Sequence, residues 1–189
     1  MNLIRATVPG FYLFSQFTQH VERWSVSIHR PLMILLSLIS KGHVTVLLAD
    51  DDADDRELFA LAAEQIAPHI RVNTCRNGLE LMNTLTDESK PLPDILFLDL
   101  NMPLKNGQEC LQEIRGNKRL RRLPVIIYST SASREYVDQT YSHGANYYLP
   151  KPDSFGDLKL IAARLFALQW DTQAQPQREQ FVLHPKQFR

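Results

Sequence analysis

From Val44 onward the sequence alternates short apolar runs with stretches of helical period, and that alternation admits few architectures. The runs are "VTVLL", "IRVNTC", "DILFLDL", "PVIIYS" and "NYYL". Between them, Asp54 to Ala67 repeats apolar residues at Leu58, Leu61, Ala62 and Ile66, and Asn77 to Leu85 does so at Leu79, Met82 and Leu85. Phe155 to Trp170 adds a stripe of Leu158, Ile161, Ala162, Leu165 and Leu168. Strands separated by helical segments predict βα units with right-handed crossovers and a parallel sheet, here a (βα)5 domain of the α/β class. The nearly unbroken apolar character of "DILFLDL" predicts a strand covered on both faces.

A chain of 189 residues suits one such domain with appendages. We divide it into an N-terminal extension over 1–43 with no assigned fold, a domain over 44–170, and a polar C-terminal tail over 171–189. The extension carries Arg5, Arg23, Arg30 and Lys41 against Glu22. It reads as an appendage, as an interfacial segment, or as residues upstream of a start near Met33. Its apolar "PLMILLSLIS" is too short to span a bilayer and sits too late for a signal sequence. The tail reads as a mobile segment or as an arm that binds a sheet edge.

Lys plus Arg and Asp plus Glu number 21 each, so no bulk field draws the chain to nucleic acid. The basic "NKRLRRLP" is short and reads as a solvated loop, and the tail is too small for a helix-turn-helix. Cys75 and Cys110 lack ligand spacing and read as small buried hydrophobes in a reducing, cytoplasmic setting. His20, alone in an unpatterned extension, reads as an ordinary surface or core histidine rather than a phosphotransfer group.

The first strand runs directly into "ADDDADD". Asp52, Asp54 and Asp55 fall where a helix begins and read as caps and partners of the helix dipole. Asp50 and Asp51 are adjacent charges at a strand end, where either solvent or a cation must relieve them. Asp99 is the single acid inside the third apolar run, and a lone buried carboxylate needs a partner. If the first and third strands are neighbours, the three acids converge, and a Mg²⁺ ion with the Asn101 backbone carbonyl completes a site of hard oxygen donors. The fourth run ends at Ser129 and the fifth at Lys151, each with an ordinary surface reading when taken singly. A carboxylate, a divalent cation, a hydroxyl and an ammonium at four strand ends together suit an aspartyl-phosphate, with Asp99 as the nucleophile.

These residues resemble the receiver domain of two-component response regulators, through "LLADDD", "FLDLNMP", "PVIIYSTSA" and "GANYYLPKP" in that order over about Val44 to Leu168. The likeness is closest to stand-alone receivers without a DNA-binding output domain. It implies a flavodoxin-like, doubly wound sheet of strand order 2-1-3-4-5, the order found in chemotaxis receivers. It also implies Asp50 and Asp51 as the acidic pair, Asp99 as phosphoacceptor, and Ser129 and Lys151 as the hydroxyl and lysine of the site. Tyr148 takes the place of an aromatic switch that turns inward on phosphorylation, and Lys151-Pro152 that of a cis peptide. Pro150 departs from the pattern, and fits an edge strand or a strand end. The implied partners are a histidine kinase or phosphotransfer protein, a downstream protein, and a second copy docking through helix 4, strand 5 and helix 5.

Two other functions compete. A Mg²⁺-dependent phosphatase or phosphotransferase with an aspartyl nucleophile would want a general acid two residues beyond Asp99, and Asn101 cannot protonate a leaving group. A scaffold with a degenerate pocket conflicts with the complete set of acids, serine and lysine.

Overall fold

Alternation along the strands sets the layers. The structure, a computed structural model, describes residues 43–168, 170 and 175–187. The readings made for 1–42, including His20 and "PLMILLSLIS", lie outside them. The sheet comprises β1 (Val44–Ala49), β2 (Ile70–Cys75), β3 (Ile95–Leu98), β4 (Val125–Ser129) and β5 (Tyr147–Pro150). All pairings are parallel and the order is β2-β1-β3-β4-β5. Val46, Leu48, Ile95, Phe97, Ile126, Tyr128 and Leu149 face one layer, whereas Leu47, Ala49, Leu96, Leu98, Ile127 and Tyr148 face the other.

Helices α1 (Ala53–Ile66) and α5 (Phe155–Phe166) cover the first face. Helices α2 (Gly78–Thr86), α3 (Gly107–Gly116) and α4 (Arg134–Ser142) cover the second. Each begins at a side-chain cap, from Asp52, Asn77, Asn106, Ser133 and Ser154 respectively. The stripe expected on α1 is rotated: Phe59, Ala62 and Ala63 are buried, while Leu58 and Leu61 are 40% and 45% exposed. Phe59 decides this, because its ring lies edge-to-face with Phe97, Tyr128 and Phe166 at 4.7, 5.5 and 6.4 Å. On α2, likewise, Leu81 is buried in place of the exposed Leu79. The α5 stripe lies where its period puts it, with Leu158, Ile161, Ala162 and Leu165 buried.

The basic loop before β4 is clamped rather than merely solvated. Arg119 donates to the carbonyls of Leu85, Asp87 and Lys90 at 2.8, 3.3 and 2.7 Å. Among the described residues no helix is long and apolar enough to cross a membrane.

Residues 175–187 lie along the outer edge of β5. The Tyr148 N–H donates to the Phe181 carbonyl at 2.9 Å, and the Leu183 N–H donates to the Tyr148 carbonyl at 2.8 Å. Val182 thereby bridges Tyr148 in parallel, and Phe181 is fully buried with its ring 5.0 Å from that of Tyr141. Arg178 pairs with Asp138 on α4, and Tyr141 donates its hydroxyl to the Pro176 carbonyl at 3.0 Å. This arm satisfies backbone groups that an edge strand would otherwise leave open. Pro150 ends β5 beyond the bridged residue, so its missing N–H breaks no pairing with the arm.

Candidate functional site

The ladder register brings the chemically active residues to one end of the sheet. Ala49 pairs with Leu98, and the next bonds hold the following acids in place. The Asp99 N–H donates to the Ala49 carbonyl at 2.9 Å, and the Asp50 N–H donates to the Cys75 carbonyl at 3.0 Å. Ser129 ends β4, and the Lys151 N–H donates to its carbonyl at 2.9 Å. Asp50, Asp51, Asp99, Ser129 and Lys151 are therefore all carried to the carboxyl ends of the strands.

Asp50, Asp99 and Ser129 are buried while Asp51 is exposed. One oxygen from each of Asp50, Asp51 and Asp99 lies within 4.8 Å of the other two. Such a donor set, all carboxylate oxygen with one member open to water, fits a hard divalent cation. The Asp99 carboxylate is aimed: its Oδ1 accepts from the Leu100 N–H at 2.7 Å, leaving Oδ2 turned toward Lys151 Nζ at 3.7 Å. The Ser129 hydroxyl is buried without a hydrogen-bond partner among the described residues. An unpaired buried hydroxyl is costly, and this one stands at the carboxyl end of β4, the strand beside β3. Asn101 is exposed at the start of the loop after β3.

Lys151 compensates the acids. Its Nζ lies 2.8 Å from Asp50 Oδ2 and 2.6 Å from Asp55 Oδ2, and 5.4 Å from the centre of the Tyr128 ring. Burial works against its charge, but the bonds to Asp50 and Asp55 more than offset this, so its pKa stands above the ordinary lysine value. Burial also pushes the Asp50 carboxyl up to about 6, against the pull of Lys151. An acid whose pKa rises on folding binds its proton more readily in the native state. Its favourable contribution is complete below the unfolded value of 3.8 and is lost as pH rises toward 6. Relative to Asp50→Asn, the cation-free protein is expected to lose on the order of 3 kcal/mol across that window. Denaturant titrations with a chelator present, at pH values spanning it, check this; a pH-independent difference between the two proteins would contradict it.

Four participants escaped the sequence reading in whole or in part. Asp52 caps α1 as expected, accepting from the Asp54 and Asp55 N–H groups at 2.8 and 3.3 Å. Asp55 stands in the first turn of α1, where a carboxylate complements the helix dipole, and it also reaches Lys151. Arg56 donates to the carbonyls of Asp50 and Asp51 at 2.8 and 2.9 Å and so fixes the acidic turn. Nothing in the spacing flags Arg56, whereas a second acid beyond the cap is a surplus that could have flagged Asp55. Tyr128 lies under the lysine although its strand position marks only a core residue. Gly107 brings α3 against the loop after β3: a Cβ there would lie 2.1 Å from the Asp99 carbonyl oxygen and 2.8 Å from Leu100 Cα.

One implied feature is corrected. No peptide among the described residues is cis, Lys151-Pro152 included; the lysine Nζ lies against Asp50 and Asp55, and its N–H continues the β5 ladder. Tyr148 faces inward in this structure, fully buried with its hydroxyl donating to the Ser131 carbonyl.

Known proteins share the sequence pattern and the fold. A family model described as the response regulator receiver domain matches residues 46–163. Response regulator Rcp1 of Synechocystis is 34% identical over 119 residues, covering 61% of this chain and 80% of that protein. A probable methanogenesis regulatory protein, FilR2 of Methanothrix harundinacea, is 34% identical over 117 residues, covering 60% and 76% respectively. The crystal structure of the Mn²⁺-bound form of Rcp1 superposes with a TM-score of 0.61 at 30% identity, covering 70% of this chain and 99% of that one. The phosphorylated cyanobacterial phytochrome response regulator RcpA gives a TM-score of 0.63 at 31% identity, with coverages of 70% and 96%.

Proposed function

Because the chain belongs to the response regulator receiver family and so has a phosphoryl-accepting role in signalling, we propose that Asp99 is its phosphoacceptor and that Asp50, Asp51 and Asp99 hold the Mg²⁺ ion the transfer requires. The observation that carries this reading is the convergence of those carboxylates beside the Lys151 ammonium. Bound there, with the Asn101 carbonyl as a further ligand, the cation supplies charge neutralisation for the transferring group. The donor is a phosphohistidine of a histidine kinase or phosphotransfer protein. Asp99 Oδ2 attacks the phosphorus, the P–N bond breaks with its electron pair returning to the imidazole, and an acyl phosphate forms. Lys151 and the unpaired Ser129 hydroxyl then each take a phosphoryl oxygen.

Ser129 also links the site to the partner-binding face. It lies two residues before Ser131, whose carbonyl accepts from Tyr148, and the backbone of Tyr148 holds the C-terminal arm. Drawing Ser129 toward the phosphoryl group shifts this loop, so Tyr148 acts by changing its bond to Ser131 rather than by turning inward. A downstream protein or a second copy, docking at α4, β5 and α5, meets the arm as part of that surface. The chemistry is confined to accepting and losing the protein's own phosphoryl group, in the cytoplasm. No observation favours turnover of a separate phosphate ester, since the residue two beyond Asp99 is an amide.

The test is incubation with Mg²⁺ and a small acyl-phosphate donor. The wild type is expected to gain one acid-stable, base-labile phosphoryl group and Asp99→Asn none. Equal labelling of both proteins would overturn the assignment, and turnover of an added phosphate ester would favour the enzyme reading.

A further inference from the structure

Asp55 has no part in the transfer just described, yet it makes the shorter of the lysine's two close contacts, 2.6 Å against 2.8 Å to Asp50. The two partners are 96 residues apart in sequence, and the Lys151 side chain is only 10% exposed. A buried ammonium settles where its opposite charges are nearest. The remaining neighbour, Asp99, stands 3.7 Å away, beyond hydrogen-bond distance. The lysine is thus held toward α1 by a carboxylate outside the group of acids that converge for a cation.

We propose that Asp55 is a positioning residue, a latch on α1 that holds the Lys151 ammonium away from Asp99 and so lets a divalent cation enter among Asp50, Asp51 and Asp99. Without the latch the ammonium has only Asp50 and Asp99 as close partners. Both are needed by the cation, so the lysine competes with it for the same oxygens. Asp55→Asn, which keeps the shape of the side chain, therefore weakens cation binding through the lysine. A simple loss of negative charge near the site would weaken it whether or not the lysine is present.

This rests on the proposed cation site, and a double-mutant cycle separates the two. Mn²⁺ affinity is measured by calorimetry for the full chain, Asp55→Asn, Lys151→Met and the double variant, with thermal unfolding as the check that each is folded. Asp55→Asn is expected to raise the Kd about tenfold when Lys151 is present, an effect equal to about 1.4 kcal/mol, and to change it less than about threefold in the Lys151→Met background. An unchanged Kd in the single variant, or an equal weakening in both backgrounds, would overturn the latch while leaving the cation site standing. Absence of Mn²⁺ binding by the wild type would instead overturn the cation site.

Discussion

Lys151→Met is expected to destabilise the cation-free protein at neutral pH by about 3–5 kcal/mol, the usual cost of removing one partner from a buried ion pair. The ammonium faces Asp50, Asp55 and Asp99 at 2.8, 2.6 and 3.7 Å, and no other cation of the described residues is in ion-pair contact with those acids. Its removal leaves Asp50 and Asp99 as like charges in a site from which water is largely excluded. Two treatments are expected to recover most of the loss. Mg²⁺ supplies the missing positive charge, and acidification protonates Asp50, whose pKa burial raises and the lost ammonium no longer holds down. Thermal unfolding with chelator, with Mg²⁺ and at low pH gives all three values. A variant as stable as the wild type in chelator at neutral pH would show that the lysine compensates nothing.

Gly107→Ala is expected to damage the site from outside it. The added methyl meets the Asp99 carbonyl oxygen at 2.1 Å and Leu100 Cα at 2.8 Å, and both are backbone atoms that cannot rotate away. The Gly107 N–H also donates to the Leu100 carbonyl at 3.0 Å, so α3 cannot withdraw without losing that bond. Leu104 already holds a left-handed backbone, φ 67°, in the same loop, which leaves little slack to absorb the shift. Overpacking of this kind costs about 3 kcal/mol. Displacing Asp99 by about 1 Å is expected to slow phosphorylation on the order of a hundredfold. Denaturant unfolding and the initial rate of label uptake check the two numbers; wild-type values for both would mean that this close approach does not position Asp99.

The sheet and the strand-end residues were legible because both signals are local. An apolar run ending in Asp50, Asp99, Ser129 or Lys151 states where a strand stops, and parallel strands stop on the same side. Which face of a helix turns inward is a tertiary matter. On α1 the choice between Leu58 with Leu61 and Phe59 with Ala63 depended on rings from β3, β4 and α5, which no window around α1 contains. The second role of Asp55 was missed for a similar reason: a place in the first turn of α1 is a local matter, and the attraction to Lys151 crosses the fold. The lysine's direction, with the Lys151-Pro152 peptide trans, goes with those same long-range contacts to Asp50 and Asp55. The arm was half legible. "FVL" is a three-residue apolar island in a polar tail, too short for a period, and its burial becomes intelligible only once β5 is known to need an edge partner.

The phosphoryl group is expected on Asp99 and nowhere else. Wild-type protein phosphorylated by an acyl-phosphate donor in Mg²⁺ can be reduced with borohydride, which converts an acyl phosphate to an alcohol, then digested and sequenced by mass spectrometry. The alcohol is expected at position 99 alone, and in none of the peptides when the donor is omitted. Reduction at position 50, 51 or 55, or stable label on Ser129 or a histidine with position 99 still a carboxylate, would contradict it.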